Sequence, residues 1–398
     1  MPPANERSGP SRLLSLDVSG YRALADMSAR LDALTVIIGA NAVGKSTLFD
    51  FLRFISFAAT QPLPPEIDPA TAVGQRVFHV GGEERITFSL AVDLGRRRPL
   101  RYAVDIRGPV GTPRITSEAL ATDPLAGEAK PFLFLGFREG TGVVSDPQQR
   151  TLKRPEWSLP PNELALRRAL DPTLFTLSAF QYYLASWRFY PGFDVSRTAN
   201  IRRPVPVEPT PTLAEDGSNL SAILFHLLSE HQDRWSELED QIRIAVPGFR
   251  SLGVKAVGGP GTVMAVWRED GVDGELTLAD LSDGTLRLLC WAVLCLGPRI
   301  PPLLCIDEPE LGLHPRVLSV LAGLLRVASA HSQLLVATHS PYFLAQFQLP
   351  EIAVMRKERG GAVFLRPANS AALRREVDEM GGAALSAMHI SDELEVRA

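Results

Sequence analysis

The spacing of apolar residues predicts strands around a single helix in the first third of the chain. Apolar and polar residues alternate from 13 to 18, and a short apolar run covers 34–38, so both segments are predicted to be strands. From 45 to 58 the apolar residues recur at helical spacing, which predicts a helix. Further strands, separated by turn residues, are predicted at 85–94, 100–106, 114–120 and 131–137.

The middle of the chain has mostly helical patterns, and the last third alternates helix and strand. Helices are predicted at about 163–183, 219–231 and 234–246, with a loop rich in Pro and Arg at 197–213 and short strands near 254, 263–267 and 275–278. The last third is predicted as helix 284–296, strand 303–306, helix 316–328, strand 334–337 and helix 341–347. Such alternation is typical of a parallel sheet with helices on both faces.

Composition narrows the class of protein. Of 398 residues, 45% are hydrophobic and 22% are charged, and the net charge of −4 argues against a whole surface that binds nucleic acid or anionic membrane. The three cysteines lie in apolar runs without zinc spacing, which predicts buried, reduced thiols. No apolar run reaches the roughly 18 residues that cross a bilayer, and the first residues lack the apolar core of a secretion signal. We therefore expect a cytoplasmic protein with no membrane partner.

A phosphate-binding motif follows the predicted strand 34–38. Residues 39–46 read GANAVGKS and match the pattern G-x-x-x-x-G-K-[ST]. In such a loop, main-chain N–H groups point at phosphate oxygens, the lysine contacts the β- and γ-phosphates, and the serine hydroxyl binds Mg²⁺. Ser46 is therefore a predicted metal ligand, and the predicted ATP-binding residues are Gly39, Ala40, Asn41, Ala42, Val43, Gly44, Lys45, Ser46 and Thr47.

Two later strands end in residues suited to phosphoryl transfer. Asp307, at the end of strand 303–306, is expected to hold Mg²⁺ or its water, and Glu308 is expected to accept a proton from the attacking water. His339 follows strand 334–337, and at the carboxyl edge of a parallel sheet it can reach the γ-phosphate. Lys45, Glu308 and His339 are the predicted catalytic residues.

The segment LSDGTLRLL, residues 281–289, has two compatible interpretations. Ser282 before an apolar helix is a helix N-cap. The same hydroxyl, together with the N–H of Gly284 and the helix dipole, also makes a site for a phosphate group.

In chain order these segments resemble the Walker A, signature, Walker B with D-loop, and switch-histidine motifs of ABC-class ATPases. The forms LSDGTLRLL, DEPELGLHP and THSP are similar to those of the RecF/SMC/OLD-related branch, and more closely to predicted bacterial AAA-family (AAA_21-like) ATPases. The resemblance implies a P-loop NTPase of the ABC-ATPase type. Its α/β fold would combine a mostly parallel central sheet, an antiparallel β subdomain and an inserted helical lobe.

The resemblance also implies ATP and Mg²⁺ as cofactors and a homodimer that closes around two ATP molecules. Ser282 and Gly284 would contact the ATP bound to the other subunit, and His314 would lie between the two sites. Tyr21 and Arg22 match a segment that approaches the nucleotide in relatives. Two positions depart from the pattern or lack a clear match. Ala42 stands where these loops often have Gly, which is tolerable at negative φ, and Gln181 is either the Q-loop glutamine or an exposed helix residue.

The expected organisation has four parts. They are an N-terminal ATPase lobe with the phosphate loop and β-rich subdomain (1–150), a mostly helical lobe with a few strands (151–280), the C-terminal half of the ATPase core (281–367) and a tail (368–398). The chain has no sustained heptads, which excludes a long coiled-coil arm.

The predicted function is an ATP-hydrolysing switch or motor that acts on DNA, or gates a separately encoded effector or nuclease, in repair or antiphage defence. The candidate DNA-facing residues, with solvated surface loops as the alternative, are Arg96, Arg97, Arg98, Arg202 and Arg203. The alternatives are a nucleotide-binding subunit of an ABC transporter and an ATP-gated scaffold with little turnover. As the resemblance implies, transporter domains have a much shorter interval between these two motifs than the one from Lys45 to Ser282, which argues against the transporter.

Overall fold

The computed structural model describes residues 9–63, 77–96, 98–109, 112–122, 131–146, 151–155, 157–169, 174–207, 212–259, 261–380, 382–391 and 393–397. Arg97, one of the candidate DNA-facing residues, lies outside these ranges.

Eight strands of the N-terminal part form an antiparallel sheet in the order β2-β1-β4-β5-β6-β7-β8-β9. Their bounds are β1 (Arg12–Tyr21), β2 (Leu24–Arg30), β4 (Arg85–Asp93), β5 (Leu100–Arg107), β6 (Arg114–Thr122), β7 (Leu133–Arg138), β8 (Thr141–Asp146) and β9 (Thr151–Lys153). One face of the sheet packs on helix α1 (Lys45–Ala58), where the ring of Phe51 lies 5.5 Å from that of Phe88 in β4. Because successive side chains of a strand point to opposite faces of the sheet, every second side chain lies on this face and packs against α1.

A second sheet carries the phosphate loop. Its order is β10-β15-β16-β3-β17-β18, and every pairing is parallel except that of β17 with β18. The bounds are β3 (Leu34–Ile38), β10 (Arg188–Tyr190), β15 (Leu303–Asp307), β16 (Gln333–Ala337), β17 (Ile352–Glu358) and β18 (Gly361–Leu365). The central strands β3, β15 and β16 are mostly apolar and, except for Asp307 at the end of β15, buried, because both of their faces are covered.

Helices and a small third sheet complete the chain. The helices are α2 (Ala165–Arg168), α3 (Phe175–Ala185), α4 (Leu220–Glu230), α5 (Gln232–Ala245), α6 (Asp283–Leu296), α7 (Leu318–Ser329), α8 (Pro341–Leu344), α9 (Ala371–Met380), α10 (Gly382–Ile390) and α11 (Glu393–Arg397). The small sheet contains β11 (Val205–Pro206), β12 (Phe249–Ala256), β13 (Thr262–Glu269) and β14 (Leu276–Thr277).

The parallel sheet separates two hydrophobic cores. In β3, Ile37 packs into the core that contains α1 and the antiparallel sheet, whereas its neighbours Val36 and Ile38 pack into the core that contains α6 and α7. This division follows from the alternation of side chains along a strand. The side-chain amide of Gln333, at the start of β16, joins the two sheets by hydrogen bonds to the N–H (2.7 Å) and the carbonyl oxygen (2.8 Å) of Leu13 in β1.

The C-terminal residues pack on the second core. Leu373, Leu385 and Leu394, one from each of α9, α10 and α11, are almost fully buried in it. The three cysteines are free and buried, as predicted. In the described part of the chain, none of the helices has the length and apolar character of a bilayer-spanning segment.

Candidate nucleotide site

The loop between β3 and α1 has the backbone of a phosphate cradle. Gly39 and Gly44 have φ of 148° and 113°, and a Cβ atom on Gly39 would lie 2.0 Å from the carbonyl oxygen of Met355 in β17. Only glycine fits such a close approach of two backbones. Ala42 has φ of 62°, so the condition of negative φ under which alanine is tolerable here is not met. The chain therefore holds a left-handed alanine, which costs about 1–2 kcal/mol, within its phosphate loop.

Lys45 lies inside this loop. Its Nζ donates hydrogen bonds to the carbonyl oxygens of Gly39 (2.6 Å) and Ala40 (3.1 Å), and the residue is only 7% exposed. Ser46 is exposed and Thr47 is half-buried in the first turn of α1. The ammonium group of Lys45 is thus held within the loop by two carbonyl oxygens. Ser46, the next residue, is exposed at the N-terminus of α1.

The carboxylate pair lies at the same edge of the sheet. The register aligns Asp307 with Ala337 of β16, and Ala337 with Ile37 of β3, so the three strands end side by side. Burial raises the pKa of the Asp307 carboxyl, the charge of Glu308 raises it further, and the charge of Lys45 lowers it. Asp307 therefore lies within electrostatic reach of the phosphate loop.

Glu308 occupies a strained backbone conformation. Its φ is 47°, and its N–H donates to the carbonyl oxygen of Ala337 (2.9 Å). A non-glycine residue in the left-handed region costs of order 1–3 kcal/mol and persists where the surroundings fix it, often at an active site. This hydrogen bond to β16 helps to fix the position of the carboxylate at the end of β15.

The set of residues fits Mg²⁺ bound mainly through phosphates and water. Among the described residues, no group of three or more His, Cys, Asp or Glu side chains could hold a metal ion by itself. Mg²⁺ in nucleotide sites is commonly held by one or two protein oxygens and by substrate phosphates. Ser46 and Asp307 provide that type and number of ligands.

His339 lines a cavity at the phosphate loop. The cavity has a volume of about 260 Å³ and is lined by Gly39, Ala40, Asn41, His339, Pro341, His389 and Ile390. The predicted histidine and the first half of the predicted loop therefore share one cavity. His389, from the C-terminal helix α10, is a further residue of this wall, and no sequence motif marks it.

Glu310 is a site residue that the sequence analysis missed. It accepts a hydrogen bond from the hydroxyl of Thr338, whose oxygen in turn accepts from the N–H of Ser340 (3.0 Å). Burial raises the pKa of the Glu310 carboxyl, and its Oε2 atom is buried without a hydrogen-bond partner among the described residues. Glu310 thus fixes the two residues that flank His339. The third acidic residue of the segment DEPE (307–310) was the available signal.

Ser282 is the N-cap of α6, as one of the two interpretations predicted. Its hydroxyl accepts a hydrogen bond from the N–H of Thr285 (3.2 Å), and the residue is exposed. A Cβ atom on Gly284 would lie 3.1 Å from the carbonyl oxygen of Gly312, so the start of α6 packs closely on the segment that follows β15. Of the described residues, the wall of the nucleotide cavity includes neither Ser282 nor Gly284.

Arg202, a candidate DNA-facing residue, is buried. Its side chain is only 5% exposed, because the guanidinium group is enclosed by the loop that precedes α6. It donates hydrogen bonds of 2.8–3.1 Å to the carbonyl oxygens of Val195, Leu278, Ala279 and Leu281 and to the carboxylate of Asp283. Arg202 therefore joins Val195 to the loop that precedes α6, and both surface interpretations of Arg202, as a DNA-facing residue and as part of a solvated loop, were wrong.

The other candidate basic residues have different surroundings. Arg203 is exposed and donates to the carbonyl oxygen of Thr198 (3.2 Å). Arg96 donates to the hydroxyl of Thr176 (2.6 Å) and stacks over the ring of Phe175. Arg96 is thus attached to α3 rather than extended into solvent.

Tyr21 and Arg22, the two residues of the segment expected to approach the nucleotide, have different surroundings. Tyr21 is 2% exposed and packs against Phe51, so its side chain does not face the nucleotide site. Arg22 pairs with Asp50 of α1 (2.8 Å) and, with Thr47, lines a separate cavity of about 500 Å³.

Gln181 and His314 have structural contacts. Gln181 is buried and donates to the carbonyl oxygen of Ala59 (2.9 Å), at the end of α1 opposite the phosphate loop, so neither interpretation of it holds. His314 is exposed and accepts through Nδ1 from the N–H of Arg316 (3.2 Å).

The sequence profile of one family matches most of the chain. This family, AAA_21, is described as "AAA domain, putative AbiEii toxin, Type IV TA system", and the match covers residues 34–109 and 148–345. The chain belongs to the AAA_21 family. No curated protein sequence matches it significantly.

Solved structures similar to this AAA_21 protein include head domains of SMC proteins. One is an Smc head bound to the C-terminal winged-helix domain of ScpA, with a TM-score of 0.54, 14% identity, and coverage of 89% of this chain and 97% of the other. Another is an Smc head with an extended coiled coil bound to the C-terminal domain of ScpA, derived from Pyrococcus furiosus, with a TM-score of 0.52, 12% identity, and coverage of 92% and 100%. The AAA_21 protein thus has the α/β fold of a P-loop NTPase, as predicted.

Proposed function

We propose that this AAA_21 protein binds ATP with Mg²⁺ at the cradle formed by residues 39–47 and hydrolyses it as a switch. The observation that carries the proposal is the meeting of the phosphate loop, Asp307, Glu308 and His339 at the ends of three adjacent parallel strands. Ligands of open α/β sheets bind along this edge. Bound Mg²⁺ would neutralise charge on the transferred phosphoryl group.

Each residue of the site has a separate proposed role in binding or hydrolysis of ATP. Main-chain N–H groups of the loop and the ammonium group of Lys45 hold the phosphates, which requires Lys45 to exchange its carbonyl partners for phosphate oxygens. Glu308 accepts a proton from the attacking water, and His339 donates a hydrogen bond to the γ-phosphate. Glu310 acts through Thr338 by fixing the loop that carries His339.

We further propose that two subunits close around two ATP molecules. Ser282 is exposed and does not line the cavity at the phosphate loop of the same subunit. It could therefore contact only the nucleotide bound to a second subunit. Three large apolar side chains near the nucleotide edge also support a contact surface: Leu311, Tyr342 and Ile390 are 65–68% exposed. ATP that bridges the subunits would stabilise the dimer by mass action.

The test of nucleotide binding is Lys45→Ala. We expect the variant to lose ATP binding, measured by calorimetry with Mg²⁺, because the phosphates lose their only lysine contact in the loop. Lys255→Ala is the matched control, since Lys255 pairs with Glu275 in the small third sheet. Equal ATP affinity in the two variants would contradict the assignment of the phosphate loop.

We propose single-stranded nucleic acid as the partner, bound at a basic-aromatic surface on α3. Two cavities of about 800 and 980 Å³ share Tyr182, which is 75% exposed. The first cavity is also lined by Arg96, Arg188, Arg299, Phe175 and Tyr183, and the second by Arg167, Arg168 and Trp157. Exposed aromatic rings among arginines are typical of surfaces on which bases stack, although Glu163 neutralises part of the charge of Arg167 and Arg168.

This proposal is tested with Tyr182→Ala and Arg299→Ala. We expect Tyr182→Ala to weaken binding of single-stranded DNA about tenfold, because a stacked base contributes about 1–3 kcal/mol. Arg299→Ala should also lower the salt dependence of binding, since one phosphate contact is lost. Arg250→Ala, which removes an exposed pair with Asp270, should change neither. If the unmodified protein does not bind DNA at low salt, the partner is a protein effector instead.

A further inference from the structure

The C-terminal helices are held firmly against the core, outside the region that the family profile matches. The match ends at residue 345, and α9–α11 begin at Ala371. Arg397 of α11 pairs with Glu376 of α9 (2.7 Å) and with Glu393 (3.0 Å), and Arg356 of β17 donates to the carbonyl oxygen of Val396 (3.1 Å). These contacts join the segment to itself and to the parallel sheet.

Helix α10 lies against α8, the short helix that follows His339. Its apolar side chains Leu385 and Met388 are 1% and 4% exposed in the second core. The next residue, His389, is rotated by about 100° around the helix axis, as the helical repeat requires. This rotation takes its side chain from the core to the wall of the nucleotide cavity.

The cavity that His389 lines also contains His339, the residue expected to reach the γ-phosphate. The rest of its wall includes the first half of the phosphate loop, Pro341 and Ile390. An imidazole ring donates hydrogen bonds through its N–H groups, and such bonds to a phosphate oxygen are among the strong ones because the acceptor is charged. A phosphate group in this cavity would therefore have imidazole groups from two separate segments in the same wall.

We propose that His389 binds the γ-phosphate of ATP in the same subunit, so that the C-terminal segment helps the site to distinguish ATP from ADP. The proposal rests on the proposed function, because it assumes that ATP occupies the cradle. If the proposal is correct, α10 forms part of the nucleotide site, and its contacts with the core determine where His389 lies. Ile390, which follows His389 and is 68% exposed, lies at the rim of the same cavity, where a second subunit would close.

The experiment compares ATP and ADP binding of the full-length protein with Mg²⁺ by calorimetry. His389→Ala is expected to weaken ATP binding about tenfold, the loss of one hydrogen bond to a charged group, and to leave ADP binding within about twofold. His389→Gln, which keeps an N–H donor on a side chain of similar length, should recover part of the ATP affinity. His231→Ala is the matched control, because His231 lies between α4 and α5 and lines neither this cavity nor the two cavities of the proposed nucleic-acid surface.

Thermal unfolding of each variant shows whether the fold is kept. If His389→Ala does not fold, the ATP and ADP affinities of His389→Gln are compared with those of the unmodified protein instead. Equal losses of ATP and ADP affinity, or unchanged ATP affinity, would overturn the role of His389. ATP binding that still depends on Lys45, with no effect at His389, would overturn this inference alone. A protein that binds no ATP would overturn the proposed function as well.

Discussion

Replacing Glu308 with Gln is expected to slow ATP hydrolysis by about 10²–10⁴-fold while ATP binding is kept. Gln has the size and shape of Glu, so the left-handed backbone at this position and its hydrogen bond to Ala337 should persist. The amide cannot accept the proton of the attacking water. Steady-state turnover and equilibrium ATP binding, measured on the same preparation, separate these two effects.

The same variant is expected to accumulate as an ATP-bound dimer. Without hydrolysis the γ-phosphate contacts to Ser282 of the second subunit remain, and sedimentation with ATP and Mg²⁺ should report a mass twice that of the monomer. The double variant with Lys45→Ala should stay monomeric, because it cannot bind the nucleotide that joins the subunits. A Glu308→Gln protein that binds ATP as a monomer would rule out the two-subunit arrangement. Unchanged turnover would rule out Glu308 as the base, and turnover below detection in the unmodified protein would favour a scaffold.

Arg202→Ala is expected to lower the free energy of unfolding by about 3–5 kcal/mol, because several carbonyl oxygens around the enclosed guanidinium group lose their donor and each buried polar group left unsatisfied costs about 1–3 kcal/mol. The change leaves four carbonyl oxygens without their shared donor and Asp283 without its partner. Arg202→Lys should recover little, because an ammonium group lacks the planar fork that bonds all of these acceptors. Denaturation by urea measures the loss.

Arg203→Ala provides the comparison for Arg202. Arg203 is the adjacent arginine but is exposed, with a single long hydrogen bond, so its loss should change stability by no more than about 0.5 kcal/mol. Similar stability of the two variants would show that the enclosed guanidinium group does not stabilise the loop that precedes α6.

The parts of the site that the sequence predicted are those set by local chemistry. The phosphate loop, the carboxylate pair at the end of β15 and the N-cap at Ser282 each depend on residues next to one another in the chain. Ser340 and Pro341 likewise mark the start of α8. At Ser282 and Ser340 local propensity and the final fold agree, which is why these helix starts could be predicted. Ala42 and Glu308 instead have left-handed backbones that their residue types disfavour, and the sequence did not predict these.

The parts that were missed depend on contacts distant in sequence. β17 pairs with β3, more than 300 residues earlier, and nothing in the segment Ile352–Glu358 itself indicates that partner. The charge of Arg202 favoured a surface position, yet the acceptors that surround it come mainly from residues 278–283. His389 enters the cavity because of how α10 docks on α8, and a histidine in a short helix carries no signal of this by itself.

Strand β15 connects two places that a ligand could occupy. It begins just after Pro302, which lines the cavity beside Arg299, and ends at Asp307 next to the phosphate loop, about 17 Å away for five extended residues. Thermodynamic linkage makes any communication along this strand reciprocal. If nucleic acid at one end tightens the hold on ATP at the other by some factor, ATP must tighten the hold on nucleic acid by the same factor. A protein whose ATP affinity responds to nucleic acid through this strand would therefore also hold nucleic acid more tightly when ATP is bound.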